Sequence, residues 1–235
     1  MKPEKAYILK IETPLSEKYA THAAQSCSDN GLPYEFFIGY TESMSMERIW
    51  KDLGLKFKKT PTVKGKGGAA TASHIGIWKK IRDLKETAII LEHDAVLLHN
   101  PDIDIPDNHL VALGYKIKDL KKYDFRKAGP PNKLEVRKKH GGAHAYAINH
   151  VTANTLLNDL EQTGLDKMID NSYFLRLGGK IKDQTTLAIT DPICAIGWVR
   201  ESTIWNKAAV DNYRPILKSF ETNYNADLKS MNLKG

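Results

Sequence analysis

Residues 87–95 constrain the fold more than any other part of this sequence. After Thr87, four apolar residues lead directly into Glu92, His93 and Asp94. A strand that is apolar at successive positions is usually covered on both faces, as in a parallel sheet flanked by helices. Polar residues at the carboxyl end of such a strand lie where open α/β sheets bind ligands. The segment therefore predicts a central strand with a binding site at its end.

The two carboxylates in this segment suggest what the site binds. Glu92 and Asp94 are two residues apart, so their side chains point to the same side if the extended backbone continues. Two oxygen ligands beside a cleft suit Mg²⁺ or Mn²⁺ that carries a diphosphate. The alternative is that both acids cap a following turn or helix, and the pattern alone leaves both interpretations open.

The preceding sequence supports an α/β fold. Residues 6–11 and Tyr34–Ile38 have the character of strands, and a helix is predicted between them, which together make a βαβ unit. A further helix is predicted over residues 70–84, where the apolar residues recur at helical spacing. Residues 64–68 have the composition of a flexible basic loop, either a plain connector or a loop whose amides and lysines approach phosphates.

The second half of the chain continues the alternation. A glycine turn at Gly141 and Gly142 leads into a strand over residues 143–148, and residues 166–177 are predicted to be helical. Residues 115–140 form a long basic stretch, and long loops in a compact domain are usually functional or disordered. A lid over a ligand and a simple basic insertion are both compatible with it.

Composition restricts the class of protein. The contents of 41% hydrophobic and 27% charged residues are ordinary for a soluble globular protein. No apolar run approaches the roughly 20 residues that span a bilayer, and the amino terminus lacks a secretory apolar segment. Cys27 and Cys194 are far apart and have no metal-binding spacing, which favours a reducing compartment. We therefore expect a cytoplasmic protein, with the inner membrane surface as an alternative location.

The net charge of +7 fits an anionic ligand, which includes a nucleotide, a lipid phosphate, an acidic glycan or a nucleic acid. A solvated lysine-rich surface explains the same charge, and peripheral contact with a membrane is compatible with it. Residues 115–140 lack interleaved aromatic residues, and the chain has no helix-turn-helix, zinc or RNP pattern. Nucleic acid is therefore not an expected partner.

Three blocks in this order resemble glycosyltransferase family 25, the lipooligosaccharide and collagen-type sugar transferases. Residues 72–81 look like the family's Ser-His helix, residues 88–96 like its apolar strand closing with Glu-Asp-Asp, and residues 142–148 like its glycine-to-tyrosine strand. The likeness extends over residues 6–202. It departs from the family at His93, which stands where the family has the middle aspartate, and the arginine usual after the first strand is not evident.

The resemblance implies a GT-A type α/β fold, with a Rossmann-like, mostly parallel central sheet, flanking helices and a smaller acceptor-side region. We expect residues 1–205 to form this single domain and residues 206–235 to form a polar C-terminal extension. The implied function is transfer of a hexose from a UDP-sugar, UDP-galactose or UDP-glucose, to a hydroxyl of a glycan, lipid-linked or protein acceptor. Mn²⁺ or Mg²⁺ is the implied cofactor. The alternative is a degenerate member that binds nucleotide or glycan without transfer.

The resemblance also implies roles at the end of the central strand. Asp94 is expected to be the principal metal ligand, and Glu92 a secondary ligand or a contact to the ribose. His93 either joins the metal site or points to the opposite face and packs. Ser73 and His74 are expected to bind the donor, although His74 alternatively caps its helix.

Further positions complete the expected site. Gly142 either lets the backbone approach the sugar or simply makes the turn. Asp170 is expected to take the proton from the acceptor hydroxyl if transfer inverts configuration, with Asp166 on the same predicted helical face as the alternative. His144 is either a ligand of the metal or phosphate or an interior histidine.

Overall fold

The elements below are those of the computed structural model, which describes residues 1–117, 128–174 and 184–198. The strands are β1 (Lys5–Lys10), β2 (Tyr34–Ile38), β3 (Thr87–Glu92), β4 (Ala95–Leu97), β5 (His109–Ala112), β6 (Gly114–Ile117), β7 (Lys133–Val136), β8 (Ala145–Asn149), β9 (Thr186–Asp191) and β10 (Ala195–Trp198). The helices are α1 (Pro14–Asp29), α2 (Met46–Leu53), α3 (Gly65–Leu84) and α4 (His150–Thr163), followed by a π-helical turn at Asp170–Phe174.

In the described residues, seven strands form a central sheet in the spatial order β2-β1-β3-β8-β5-β9-β7. Five of these strands run in the same direction, because only β8 and β7 pair antiparallel with their neighbours. A smaller sheet has the order β4-β10-β6. The mostly parallel α/β architecture predicted from the sequence is confirmed.

Strand β3 is central because both of its faces are covered. Ala88 and Ile90 face the cluster formed with α3 and α4, whereas Ile89 and Leu91 face the cluster formed with α1. All four side chains are fully buried. Burying an Ile or Leu side chain contributes about 1.5–3 kcal/mol, which explains why the four positions between Thr87 and Glu92 are apolar.

Helix α3 begins at Gly65, so the prediction of a flexible loop over residues 64–68 was wrong. Glycines occupy its first turn because neighbouring segments approach closely. A Cβ atom at Gly67 would lie 2.6 Å from the sulfur of Met168, and one at Gly68 would lie 2.8 Å from the carbonyl oxygen of Val63. Gly68 is therefore required by packing against backbone, whereas Gly65 has no described atom within 4 Å of such a Cβ and has a positive φ of +62°.

The basic stretch of residues 115–140 is described only in part, since residues 118–127 lie outside the described residues. Its described parts include the end of β6 and the whole of β7, which is an edge strand of the central sheet. The expected domain boundary at residue 205 and the extension over residues 206–235 also lie outside the described residues. Of the helices in the described ranges, none is both long and apolar enough to span a membrane.

Gly114 provides a test of the packing between β6 and β10. A Cβ atom at this position would overlap the carbonyl oxygen of Ala195, which is backbone and cannot move aside cheaply. We expect Gly114→Ala to lower the free energy of unfolding by about 3 kcal/mol or more, the upper range for overpacking. Urea unfolding measures this change.

Gly141→Ala is the matched control for Gly114→Ala. Gly141 is exposed, and no described atom lies within 4 Å of a Cβ placed there. Its free energy of unfolding should stay within about 0.5 kcal/mol of the wild type, as for most surface substitutions. Equal effects of the two substitutions would contradict the close approach of the two strands.

Candidate functional site

A cavity of about 550 Å³ lies at the carboxyl ends of β1 and β3, beside the first half of α3. Of the eight site residues predicted from the sequence, seven line this cavity, which are Ser73, His74, Glu92, His93, Asp94, Gly142 and Asp170. The eighth, Asp166, does not line it. Residues from four separate parts of the chain therefore meet at one place, as the rule for strand ends predicts.

The carboxylates of Glu92 and Asp94 reach the cavity through a turn. Strand β3 ends at Glu92, and His93 and Asp94 form a turn before β4 begins. The extended backbone on which the same-side prediction depended does not continue, so strand alternation is not what brings the two acids together. Both side chains are nonetheless half-buried at the cavity.

The ring of His93 stacks on the ring of Tyr19 from α1, with centroids 6.2 Å apart and planes 7° apart. This contact is the packing alternative that the sequence left open, although His93 also lines the cavity. Within residues 1–117, 128–174 and 184–198, no group of three or more His, Cys, Asp or Glu side chains is arranged to hold a metal ion.

The hydroxyl of Ser73 is used inside the protein. It donates a hydrogen bond to the carbonyl oxygen of Ala69 at 2.8 Å and accepts one from the backbone N–H of Tyr40 at 2.8 Å. A hydroxyl has a single proton, so Ser73 has none left to donate to a ligand in this arrangement. It holds the segment after β2 against α3, where a Cβ atom at Gly39 would lie 2.8 Å from the Ser73 oxygen.

Tyr40 is a cavity residue that the sequence analysis missed. It lines the cavity together with Thr41 and Glu42, directly beyond the carboxyl end of β2. Burial, with a smaller effect of Asp52, raises the pKa of its phenol. The rule that located Glu92 at the end of β3 locates Tyr40 when it is applied to β2.

His74 lies in the middle of α3, so the interpretation of His74 as a helix cap was wrong. Its Nε2 atom is 3.3 Å from Oε1 of Glu92, and its Nδ1 atom is 3.0 Å from the hydroxyl of Tyr146. The indole N–H of Trp78 donates to the same hydroxyl at 2.8 Å. His74 therefore connects the core of the protein to a carboxylate at the cavity.

Asp170 is the first residue of the π-helical turn. Its Oδ1 atom accepts a hydrogen bond from the backbone N–H of Asn171 at 2.8 Å. The preceding N–H, that of Ile169, donates to the hydroxyl of Thr71 in α3 at 3.2 Å, which anchors the turn beside the cavity. Asp166 lies in an exposed bend before the turn, so the prediction that it shares a helical face with Asp170 was wrong.

Gly142 has a backbone φ of +88°, a value that favours glycine because other residues rarely adopt it. The nearby His144 is buried, lines the cavity and packs directly on Gly197 of β10. Two lysines also line the cavity, Lys66 from the basic segment of residues 64–68 and Lys10, which the sequence analysis did not single out. Lys10 pairs with Glu17 at 2.6 Å, and Lys66 pairs with Glu42 at 3.6 Å.

Comparison with known proteins identifies the family. The sequence profile of Glycosyltransferase family 25 (LPS biosynthesis protein) matches residues 15–172, which is more than half of the chain. The chain therefore belongs to glycosyltransferase family 25, and its class of activity is glycosyl transfer. The matched range contains every predicted site residue.

Among solved structures, the chain is similar to the crystal structure of galactosyltransferase LgtC in complex with donor and acceptor sugar analogs. The sequence identity is 12%, the alignment covers 92% of this chain and 95% of that chain, and the TM-score is 0.40. A comparison with curated proteins found no match.

His140 lies behind the cavity wall in an aromatic environment. Its ring centroid is 6.1 Å from that of His144, 6.2 Å from that of Phe174 and 5.7 Å from that of Tyr115. Its Nε2 atom is buried and has no hydrogen-bond partner among the described residues. Burial, with a smaller effect of Arg137, lowers the pKa of His140 from 6.5 to about 4.

The lowered pKa of His140 predicts a loss of stability in acid. Between pH 6.5 and pH 4 the unfolded chain binds a proton at this residue and the folded chain does not, so the free energy of unfolding falls as the pH falls. On going from pH 7 to pH 4, the wild type should lose about 3 kcal/mol more than the His140→Leu variant, which lacks this titration. Denaturant unfolding at each pH measures the difference, and parallel curves for the two proteins would refute it.

Proposed function

We propose that this protein transfers a hexose from UDP-galactose or UDP-glucose to a hydroxyl of a glycan or other acceptor, with the assistance of a divalent metal. The observation that carries the proposal is that one cavity is lined by the carboxylates of Glu92 and Asp94 and also by that of Asp170. Such a transfer needs a group that neutralises the leaving diphosphate and a group that accepts the proton of the acceptor hydroxyl.

The size and lining of the cavity support a nucleotide-sugar donor. A volume of about 550 Å³ is within the range of roughly 300–1,000 Å³ for ligand pockets. Apolar side chains from the end of β1, such as Leu9 and Ile11, line it together with the polar groups of Thr41 and Glu42. Two lysines, Lys10 and Lys66, also line the cavity, each paired with a glutamate, and are the basic groups there that an anionic ligand would meet.

The carboxylates at the end of β3 fit a hard divalent cation. Asp94 would be the principal ligand of Mn²⁺ or Mg²⁺, and Glu92 a secondary ligand or a contact to the ribose. Two protein carboxylates suffice, because Mg²⁺ sites commonly combine one or two carboxylates with substrate phosphates and water. When bound, the metal supplies positive charge to the departing diphosphate as a Lewis acid. The stacking of His93 on Tyr19 supports a packing role for the imidazole.

Asp170 is proposed to orient the acceptor hydroxyl and, if the transfer inverts configuration, to take its proton. Its position supports this role, since it lines the cavity in a turn anchored to α3 through Thr71. The acceptor is proposed to be a glycan, lipid-linked or protein hydroxyl. The net charge of +7 favours an anionic acceptor and peripheral contact with a membrane, in a cytoplasmic protein or one at the inner membrane surface.

The proposed function is tested by incubating the protein with a panel of nucleotide sugars, each with Mn²⁺, with Mg²⁺ and with a chelator. Release of UDP from UDP-galactose or UDP-glucose, dependent on metal and increased by hexose-containing acceptors, is the expected result. Calorimetry with UDP and Mn²⁺ distinguishes a transferase from the alternative, a protein that binds nucleotide without transferring the sugar. Binding without turnover across the panel would favour a family member that binds nucleotide or glycan without transfer.

Asp94→Ala should reduce kcat by about 1,000-fold or more while the fold stays intact. The expected size follows because Lewis-acid stabilisation of the leaving group is worth several kcal/mol and each 1.36 kcal/mol corresponds to a factor of ten. Asp102→Ala is the matched control, since Asp102 is an exposed aspartate paired with Lys2 at 2.7 Å. Steady-state UDP release gives the rates, and full activity of Asp94→Ala would contradict the assigned ligand.

Asp170→Asn should lower kcat by about 10²–10⁴-fold, the usual contribution of general base catalysis, with little change in the KM for the donor. Asp166→Asn serves as the control, since Asp166 is exposed and does not line the cavity. We expect its kcat to stay within about twofold of the wild type. If the two variants exchanged these effects, Asp166 rather than Asp170 would be the base.

A further inference from the structure

Four polar side chains, those of Trp78, Tyr146, His74 and Glu92, form a continuous chain of contacts from the hydrophobic core to the cavity. Trp78 and Tyr146 are fully buried, and neither lines the cavity. The indole N–H of Trp78 is 2.8 Å from the hydroxyl of Tyr146, and that hydroxyl is 3.0 Å from Nδ1 of His74. Nε2 of His74 is 3.3 Å from Oε1 of Glu92, where the chain of contacts reaches the cavity.

The direction of each hydrogen bond follows from the number of protons. The indole of Trp78 can only donate, so the oxygen of Tyr146 accepts at that contact. The phenolic proton of Tyr146 is then free to be donated to another group. Among the described contacts of this hydroxyl, Nδ1 of His74 is the acceptor within reach. Nδ1 therefore carries no proton, and in the neutral ring the proton is on Nε2, which donates to Glu92.

Packing alone does not account for these polar groups. Trp78 and Tyr146 belong to an apolar cluster, and the ring of Tyr146 packs edge to face on that of Phe174. A phenylalanine at position 146 would fill the same space without the need for two matched partners. A fully satisfied buried network instead fixes one orientation of its members.

We infer that Tyr146 is a positioning residue that acts through His74 on Glu92. Its hydroxyl, directed by Trp78, fixes the Nε2–H tautomer of His74, and this N–H holds one oxygen of the Glu92 carboxylate in place. The inference deepens the proposed function, because Glu92 serves there as a metal ligand or ribose contact. Removing a group that hydrogen-bonds a metal ligand typically changes affinity or activity by about 10–100-fold, and here that group is His74, whose orientation Tyr146 sets.

The tautomer is tested without any need for enzymatic activity. Long-range ¹H–¹⁵N correlation spectra of the uniformly ¹⁵N-labelled wild type should show His74 with a protonated Nε2 and an unprotonated Nδ1 at neutral pH. The assignment is made by comparison with the spectrum of a His74→Gln variant. An Nδ1–H tautomer or an imidazolium at His74 would overturn the inference, whether or not the protein proves to be a transferase.

The role in positioning is tested by Tyr146→Phe. We expect kcat/KM for the nucleotide-sugar donor to fall by about 10–100-fold, mainly through a higher KM, and the affinity for UDP with Mn²⁺ in calorimetry to fall by a similar factor. In the ¹H–¹⁵N correlation spectrum of this variant, the signals of His74 should no longer be those of the Nε2–H tautomer alone.

Tyr7→Phe is the matched control. Tyr7 is also fully buried, and its hydroxyl donates to the carboxylate of Glu86 at 2.5 Å, away from the cavity lining. Its kinetic constants should stay within about twofold of the wild type.

The outcomes separate the two proposals. If Tyr146→Phe keeps wild-type kcat/KM and UDP affinity, or if both variants lose activity equally, the positioning role is wrong and the network serves only stability. If the wild type neither turns over a UDP-sugar nor binds UDP, the proposed function fails, whereas the spectrum of His74 still decides whether Tyr146 sets its tautomer. A Tyr146→Phe variant that does not fold leaves the wild-type spectrum as the decisive measurement.

Discussion

The burial of β3 on both faces is the constraint on which the rest of the structure depends. Helices α3 and α4 cover one face and α1 covers the other, so the strand has no side from which a polar side chain can reach solvent. An unpaired carboxylate within the strand would carry a large desolvation cost. Charged side chains are therefore tolerated only where the strand ends, and Glu92, His93 and Asp94 occupy that end. The location of the cavity is thus a consequence of how the core is covered.

The same physical rules explain which parts of the fold were predictable. The period of the apolar residues and the polar ends of strands depend on local sequence, so the α/β class, the central strand and the acids at its end followed from the sequence pattern. The expectation that Ser73 and Asp170 belong to the same site came instead from the family resemblance. The path of the chain after Glu92 did not follow from the sequence, because a two-residue turn there is set by the pairing of β4 with β10 rather than by local propensity. The helix predicted around Asp166 was wrong for a related reason, since the segment is held by the distant hydroxyl of Thr71.

The structural role of the glycines was the hardest feature to predict from the sequence. Gly67, in the first turn of α3, permits the contact with Met168. Gly39, in the segment after β2, permits the contact with Ser73. A glycine chosen for close approach and a glycine chosen for mobility are identical in a sequence, and only the neighbouring atoms distinguish them. The partners of Ser73 were hidden in the same way, because its bond to Tyr40 joins residues 33 positions apart.

Helix α3 carries two adjacent residues whose bonds run to different walls of the cavity. Ser73 is bonded to the segment after β2, and His74 is bonded to the side chains of β3 and β8. Because both residues belong to helix α3, a rotation of the helix that moves Ser73 also moves His74 and would break the hydrogen bonds of both. The distance between the two cavity walls is therefore set before a ligand binds. A ligand that fits this distance loses little binding free energy to reorganisation of the protein.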